Sequence, residues 1–575
     1  MKTYCKAEMK FTDITALSDA SVTTEDNQLI GSMDVFKDET RQKDYGTLEL
    51  NQYILDGTKC ILQENPIDIA FWNNQMSKED CTFDKNPKIE ISFAEKHSSA
   101  AITLYFADEY PDEIKITWYT LYGSVIDTKT YYPDGLIYVC DKQADNYGKV
   151  TIEFIRTSYP KRYVKLQYIL YGKYIAWFSD MIKSAEIQED MDFTSATLPI
   201  NEATISIVDE KNDFDSGNEN GAWKSIQKTQ EITLTEYKDG TDIPMGTFYM
   251  DDFSFSDNEA KFSLIDTIGL LDKYTFYEGQ IYVNEKASNI IKSIFEVAGI
   301  KKYIIDEEIG EILLSGYMGI QSCRQALQRV CFACKAVADD SRSDTIRIYK
   351  TDRYVKSVVG LDRKINGGTK VCLDKYISGV VIECTGYSIE DKVSEIFKGV
   401  LPKGESKIIF SNPYLPSSVS SSSGTVIEKK TNYLVLRMDA AGECVISGKK
   451  YVGTKFSYQA NVDHIDAGET ENIKKFSGCT VYNTDLLKSL AEHLLKYYSL
   501  RKKVDMEYFV ESEKIGNWIN INQIGGTTST SFIESQTIDL AGGYISTAKC
   551  RGYSIVTTDI YYTGEELYSG GDVII

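Results

Sequence analysis

The stretch "FSFSDNEAKFSLIDTIGLLDKYTFYEGQIY" (residues 253–282) decides how this chain is read. It begins as a hairpin: Phe253 and Phe255 alternate with polar residues, Asp257 and Asn258 form a tip, and Ala260, Phe262 and Leu264 alternate back. Period-two alternation puts such side chains on one face of a strand pair. The period then changes at "DTIGLLDK". A helical run, "EKASNIIKSIFEVAGI" (285–300), follows with Ala287, Ile290, Ile291, Ile294 and Phe295 on one side and Gly299 as the stop. Nothing in the stretch resembles an active site. It reads as a corner between a β unit and an α+β unit.

Upstream of the corner, "SAEIQED", "NEATISIVD", "QEITLTEY" and "MGTFYMDDFSFS" predict amphipathic strands of a small barrel over 173–274. Downstream, an α+β insert is expected over 275–352. Its second helix lies in "SCRQALQRVCFACKAVA" with Ser322 as N-cap, and "TIRIYK" is a strand. Strand patterns return in "YISGVVIECTGYS", "NYLVLRMDA" and "ECVISGKKYV", predicting a second barrel over 353–482. Its serine-rich segment 417–424 has no periodicity and is expected to be a mobile surface loop. A third helix, "NTDLLKSLAEHLLKYYSLRKK", aligns Leu487, Leu490, Leu494, Tyr497 and Tyr498, with Thr484 as cap, and opens a closing segment over 483–575.

Residues 1–172 carry short aromatic strands: "AITLYF", "EIKITWY", "KVTIEFI" and "RYVKLQYILYG". With turns such as "EYPDE" between them they predict a jelly-roll-like sandwich. The expected fold class is therefore mainly β with an α+β insert: an N-terminal sandwich, then two tube-like barrels of similar texture.

Composition narrows the function. The chain has 575 residues, which suggests three or four domains. Its 63 basic and 85 acidic side chains leave a net charge of −22, which repels nucleic acid and anionic lipid unless basic residues cluster; the densest group is only "LRKKV" (500–504). No run approaches the ~20 apolar residues of a membrane span, and "MKTYCKAEMKFTD" has no signal-peptide core. Synthesis in a cytoplasm without a signal peptide is expected. The 12 scattered cysteines then read as thiols rather than a disulfide framework.

Residues 174–558 resemble the central hub proteins of phage tails and phage-derived bacteriocin particles. The resemblance is carried by "TISIVDEKNDFD", "GTFYMDDF…FSLIDTIGLLDKYTFYEGQIY", "ASNIIKSIFEVAGI", "QALQRVCFACKAVADD" and "LAEHLLKYYSLRKKVDMEYFVESEKIGNWININ". It implies a homotrimer whose two barrels per chain match the sixfold tail tube. The implied partners are a tail tube or distal tail protein above, a tape measure protein in the channel and a separate spike or tip protein below, assembled in a virion tail or tail-like particle. In the N-terminal part, "DYGTLELNQYILDG", "IAFWNNQMSKEDCTF" and "AITLYFADEYPDEIKITWY" are similar to carbohydrate-binding-module-like sandwiches of tail proteins, which implies docking of a neighbour or of cell-wall glycan.

No residue is assigned a catalytic, cofactor or metal role. Cys331 and Cys334, with Cys323, lack a second ligand pair for zinc and fall beside Leu327 and Val330 on a helix face. "DEKNDFDSGNENG" (Asp209, Asp213, Asp215, Glu219) departs from a calcium loop at Gly217 and reads as a hairpin loop. The acid pairs Glu307-Glu308 and Asp251-Asp252 arise readily among 85 acids, so a cell-wall hydrolase is the weakest reading and no enzymatic activity is expected. The candidate glycan contacts are Trp72, Tyr119 and Tyr122, whose rings can stack on sugar; Trp118 alternates with Ile114 and Ile116 and is assigned to the core. A surface-glycan-binding adhesin is thus the main rival to the hub.

Overall fold

A computed structural model of the chain describes residues 3–12, 16, 19–24, 49, 69–556 and 573–574, apart from 211, 219, 220, 222, 224, 225, 227, 257, 352, 353 and 525. "DYGTLELNQYILDG" apart from Glu49, the Asp257 turn residue and Glu219 lie outside the described residues. Strand accounts for 56% and helix for 12%, so the mainly β class with a small helical part holds.

The centre is one sheet of fourteen strands. In chain order these are β1 (Thr3–Thr12), β2 (Gly172–Trp177), β3 (Ile182–Asp190), β4 (Glu202–Val208), β5 (Glu231–Lys238), β6 (Thr241–Ser256), β7 (Glu259–Ile265), β8 (Val355–Val359), β9 (Lys364–Leu373), β10 (Lys502–Phe509), β11 (Trp518–Asn522), β12 (Thr528–Asp539), β13 (Ile545–Val556) and β14 (Val573–Ile574). The hydrogen-bonded order is β9-β10-β13-β12-β3-β4-β7-β6-β5-β1-β2; β11 joins β12 to β8, and β14 lies on β13. Two halves of seven strands meet where β3 pairs antiparallel with β12, Ile187 opposite Ile538. One continuous apolar core runs across both, from Met9, Trp177 and Phe262 to Tyr508, Ile533 and Cys550. Burying each large side chain of this kind contributes about 1.5–3 kcal/mol.

The opening hairpin forms as its alternation requires. Phe253 pairs with Phe262 and Phe255 with Ala260 across β6 and β7, and Asn258 adopts a left-handed φ of 66° at the turn.

Three expectations about these strands are corrected. Neither barrel closes on itself among the described residues; the two halves share one sheet instead. β1, expected in the sandwich, pairs with β5 and β2 in the central sheet, because its alternation is satisfied by strands far away in sequence. The second half is not built from 353–482. It comes from 355–373 and 502–556, while 379–479 forms separate sheets.

The α+β insert follows the corner. Helix α1 (Ala287–Ala298) ends at Gly299, whose φ of 70° only glycine adopts freely. Helix α2 (Cys323–Cys334) is capped by Ser322, whose hydroxyl accepts from the Gln325 amide at 3.2 Å. Helix α3 (Leu487–Ser499) buries Leu487, Leu490 and Leu494 against Val380, Ile382 and Phe332. Its entry is capped by Asn483 rather than Thr484: Asn483 Oδ1 accepts from Asp485 N and Leu486 N at 2.9 and 3.0 Å.

The inserted segment 379–479 extends as a long ribbon, Gly379–Leu401 paired with Gly442–Asn461. A small three-stranded sheet with its own core around Leu434 and Leu436 is carried on it. That core is anchored on the last residues of the opening stretch. Asn432 donates to Gly279 O at 2.5 Å, Lys430 pairs with Glu278 at 2.7 Å, and Lys407 sits between the Tyr277 and Tyr433 rings at 3.5 and 4.0 Å. A side chain at Gly279 would meet Met318 O at 2.3 Å, so only glycine permits this approach. The serine-rich 417–424 is a hydrogen-bonded turn instead of a loose loop: Ser418 and Ser422 hydroxyls accept from Lys449 N and Val445 N at 2.8 and 2.9 Å, and Val419 is buried. Hydroxyls replace apolar periodicity there, which hid the order from the sequence.

In the N-terminal part, Ser21–Thr24 and six strands between Phe71 and Leu170 form one seven-stranded sheet. Its long strands Lys88–Phe106 and Ile137–Thr157 change register at several points, and both of their ends feed one core with Trp118.

Candidate functional site

The structure separates the candidate glycan contacts. Trp72 lies on the first strand of the N-terminal sheet, half-buried, with Lys165 Nζ 5.1 Å from its ring and Tyr163 edge-on at 5.8 Å. Lys165 is itself buried between Glu49 and Asp108, so this Trp72 face is occupied by a structural ion cluster. Tyr119 and Tyr122 lie four strands away in the sheet order, Tyr119 under Lys149 at 5.5 Å and Tyr122 91% exposed. Trp118 is fully buried.

The other residues weighed in the sequence have structural surroundings. Cys323, Cys331 and Cys334 are buried on α2, and burial pushes the Cys323 and Cys334 thiols up to about 11 and about 12. Asp209 is a loop staple, accepting from Asp213 N and Phe214 N at 2.9 Å each. Glu308 pairs with Lys350 at 2.9 Å and Asp251 with Lys273 at 2.5 Å, so neither pair of acids faces a shared cleft as two free carboxylates.

What the sequence did not reveal is a buried polar seam where the two halves meet the insert. Arg342 follows the strand Val337–Asp339 with a left-handed φ of 54° and enters the β3–β12 junction. Its guanidinium grips Glu189 of β3 with two bonds, 2.8 and 3.2 Å, and reaches Tyr544 at 3.5 Å. Gln536 of β12 donates to the same Glu189 at 2.5 Å and accepts from Tyr508 at 3.3 Å. One carboxylate therefore ties both halves and the insert. Arg342 and Glu189 are buried, so their charges depend on each other: the nearby Glu189 charge raises the Arg342 pKa despite burial.

The corner residue Asp266 is a second anchor. One of its oxygens accepts from Gly269 N and the other from Asn201 N, both at 2.6 Å. Against it lies Asp340, which accepts from Thr267 N at 2.8 Å. Both carboxyls are buried. Burial and the Asp340 charge push Asp266 well above the usual carboxylate range, and burial raises Asp340 as well. Glu236 of β5 is fully buried, neither oxygen has a hydrogen-bond partner among the described residues, and burial raises it to about 7. Asp339 is raised to about 6 by burial.

The sheet also has two open ends. On β9, Val371 and Leu373 are 45% and 70% exposed. On β2, no described strand pairs with the side turned away from β1.

Comparison with known proteins gives no match to a described protein family and no match to a curated protein. Similar solved structures include a tail protein from Neisseria meningitidis MC58, 10% identical over 66% of this chain and 94% of that one, with a TM-score of 0.40. The 43 kDa tail protein of prophage MuSo2 from Shewanella oneidensis is also 10% identical over 66% and 93%, with a TM-score of 0.38. The prophage tail protein gp18 from Listeria monocytogenes EGD-e is 6% identical over 65% and 91%, with a TM-score of 0.36. At such scores the alignments decide nothing about function, and the functional argument rests on the residues above. No helix among the described residues is long and apolar enough to cross a membrane.

Proposed function

We propose that the chain is a structural hub of a phage tail or phage-tail-like particle, in which three copies close a ring that adapts a sixfold tail tube to a threefold tip. The observation that carries this reading is the central sheet: two halves of seven strands, side by side, with the outer edge of β9 unpaired among the described residues. Two like units per chain give six around a threefold ring, and an open strand with exposed Val371 and Leu373 suits burial against a neighbouring copy. On this reading the chain carries no reaction. The acidic surface keeps a channel for tape measure protein and nucleic acid from adhering. The tail tube or distal tail protein would sit above and a separate spike or tip protein below, in a particle assembled in a bacterial cytoplasm.

Light scattering of the purified chain tests it. The expected mass is three times 64.9 kDa, falling to one times that mass in Leu373→Lys with the melting temperature unchanged. A strict monomer, both alone and with a tail tube partner, contradicts the ring. A glycan-binding role for the N-terminal sheet is favoured by the exposed ring of Tyr122; cell-wall pull-down that depends on Tyr122, without trimers, would put that reading first. Peptidoglycan zymography checks the non-enzymatic part.

A further inference from the structure

A cleft of about 700 Å³ opens between the N-terminal sheet and the central sheet. Its floor is the consecutive run Lys173–Trp177, the outer side of β2. The facing wall is Ile207 to Glu210 with Phe214, and Asp141 lies at the rim. The hydrogen-bonding state of this floor follows from alternation. The Tyr174 amide donates to Thr103 Oγ1 at 3.2 Å, and Thr103 donates to Gly172 O at 2.9 Å, both away from β1. Residues 172, 174 and 176 therefore turn their backbone groups into the cleft, while 173, 175 and 177 bond to β1. Beyond Thr103 the Tyr174 carbonyl and both Ala176 groups face the cleft with no described strand beside them.

We propose that this cleft receives an extended segment of another polypeptide, alternating apolar and lysine or arginine residues, by strand addition to β2. Backbone pairing supplies the affinity in such additions, and alternate side chains supply the selectivity. The apolar positions would meet Ile175, Trp177, Met181 and Phe214. The charge requirement comes from the rim. Asp141, Asp180, Glu210 and Asp213 line the cleft with Lys173 as the only base among its lining residues, and Lys173 is engaged by Asp141 at 3.8 Å. An acidic segment would be repelled, and a second copy of this chain, at −22 overall, is a poorer fit than a basic partner. The inference does not require the ring, since peptide binding is read separately from mass.

The test is fluorescence anisotropy of the full chain with a short capped peptide of alternating valine and lysine. Saturable binding that weakens with salt is expected, with none for the valine–glutamate peptide or for a valine–lysine peptide N-methylated on alternate residues. Ala176→Pro removes the outward amide without touching a bond to β1, and should lower affinity at least about tenfold at unchanged melting temperature. Should that variant fold poorly, Asp180→Lys with Glu210→Lys, both exposed, should produce the same loss. No binding by the wild-type chain, equal binding of the acidic peptide, or affinity untouched by these variants overturns the proposal.

Discussion

The two halves of the central sheet have the same number of strands but opposite histories in the sequence. The first half comes mostly from one run, residues 172–265, with β1 added from the far N-terminus. The second half is split: β8 and β9 precede a long excursion through the ribbon, its small sheet and α3, and β10 resumes at Lys502. Hairpins hold the first half together locally. The second must close its pairing of β9 with β10 across residues 374–501, which costs loop entropy and needs anchors. Those anchors are visible. Asp374 at the exit of β9 is bound by Lys503 and Arg551 at 3.1 and 2.7 Å, and their charges hold its carboxyl down at about 2 against the cost of burial. A discontinuous half is held by specific polar clasps, while a continuous one is held by its turns.

The largest effect is expected from removing the clasp shared by both halves. Arg342→Ala leaves Glu189 charged and buried between the halves, and should cost about 3–5 kcal/mol. Denaturant unfolding should then resolve into two transitions, the split half melting first; a single unshifted transition would show the clasp to be dispensable.

A smaller effect comes from pH. Glu236 titrates near 7 in the folded chain against its ordinary 4.5, so the folded state holds that proton more tightly. Its contribution is fully present below about pH 4.5 and is lost as pH rises through 7, amounting to about 3 kcal/mol. Asp266 and Asp339 shift the same way, whereas Asp374 acts only below the carboxylate range. The melting temperature should therefore be higher at pH 5.5 than at 7.5, and Glu236→Gln should flatten that slope. A slope that Glu236→Gln leaves unchanged would mean that Glu236 is solvated.

The smallest expected change is in the excursion itself. Asn483→Ala removes the cap of the turn leading into α3 and should cost about 1 kcal/mol, whereas Thr484→Ala should leave stability within about 0.5 kcal/mol. Thermal melts of the pair decide which residue caps the helix.

What could be read from the sequence was whatever is local. The hairpin at 253–264, the helix ending at Gly299, the Ser322 cap and the burial of Trp118 all follow from neighbours within a few residues. Sheet membership is not local. Alternation marks a segment as a strand but is silent on partners, so the sequence groups residues 3–12 with the sandwich and 379–482 with the second half. Arg342 carried no signal at all: in "ADDSRSDT" it looks like any polar turn, and only the left-handed backbone aims it at Glu189. Asp266 stands where the period changes, but its contact with Asp340 needed the fold. The same stretch that opened the reading proves to serve three bodies, pairing in the first half, capping the insert and anchoring the ribbon's small sheet through Tyr277, Glu278 and Gly279.

The central claim, that both halves form one cooperative sheet through β3 and β12, is tested most directly by native-state hydrogen exchange of residues 182–190 and 528–539. Ile187 and Ile538 should exchange only through one shared opening, with the same free energy and the same denaturant dependence. Exchange of one strand through an opening that leaves the other protected would contradict it.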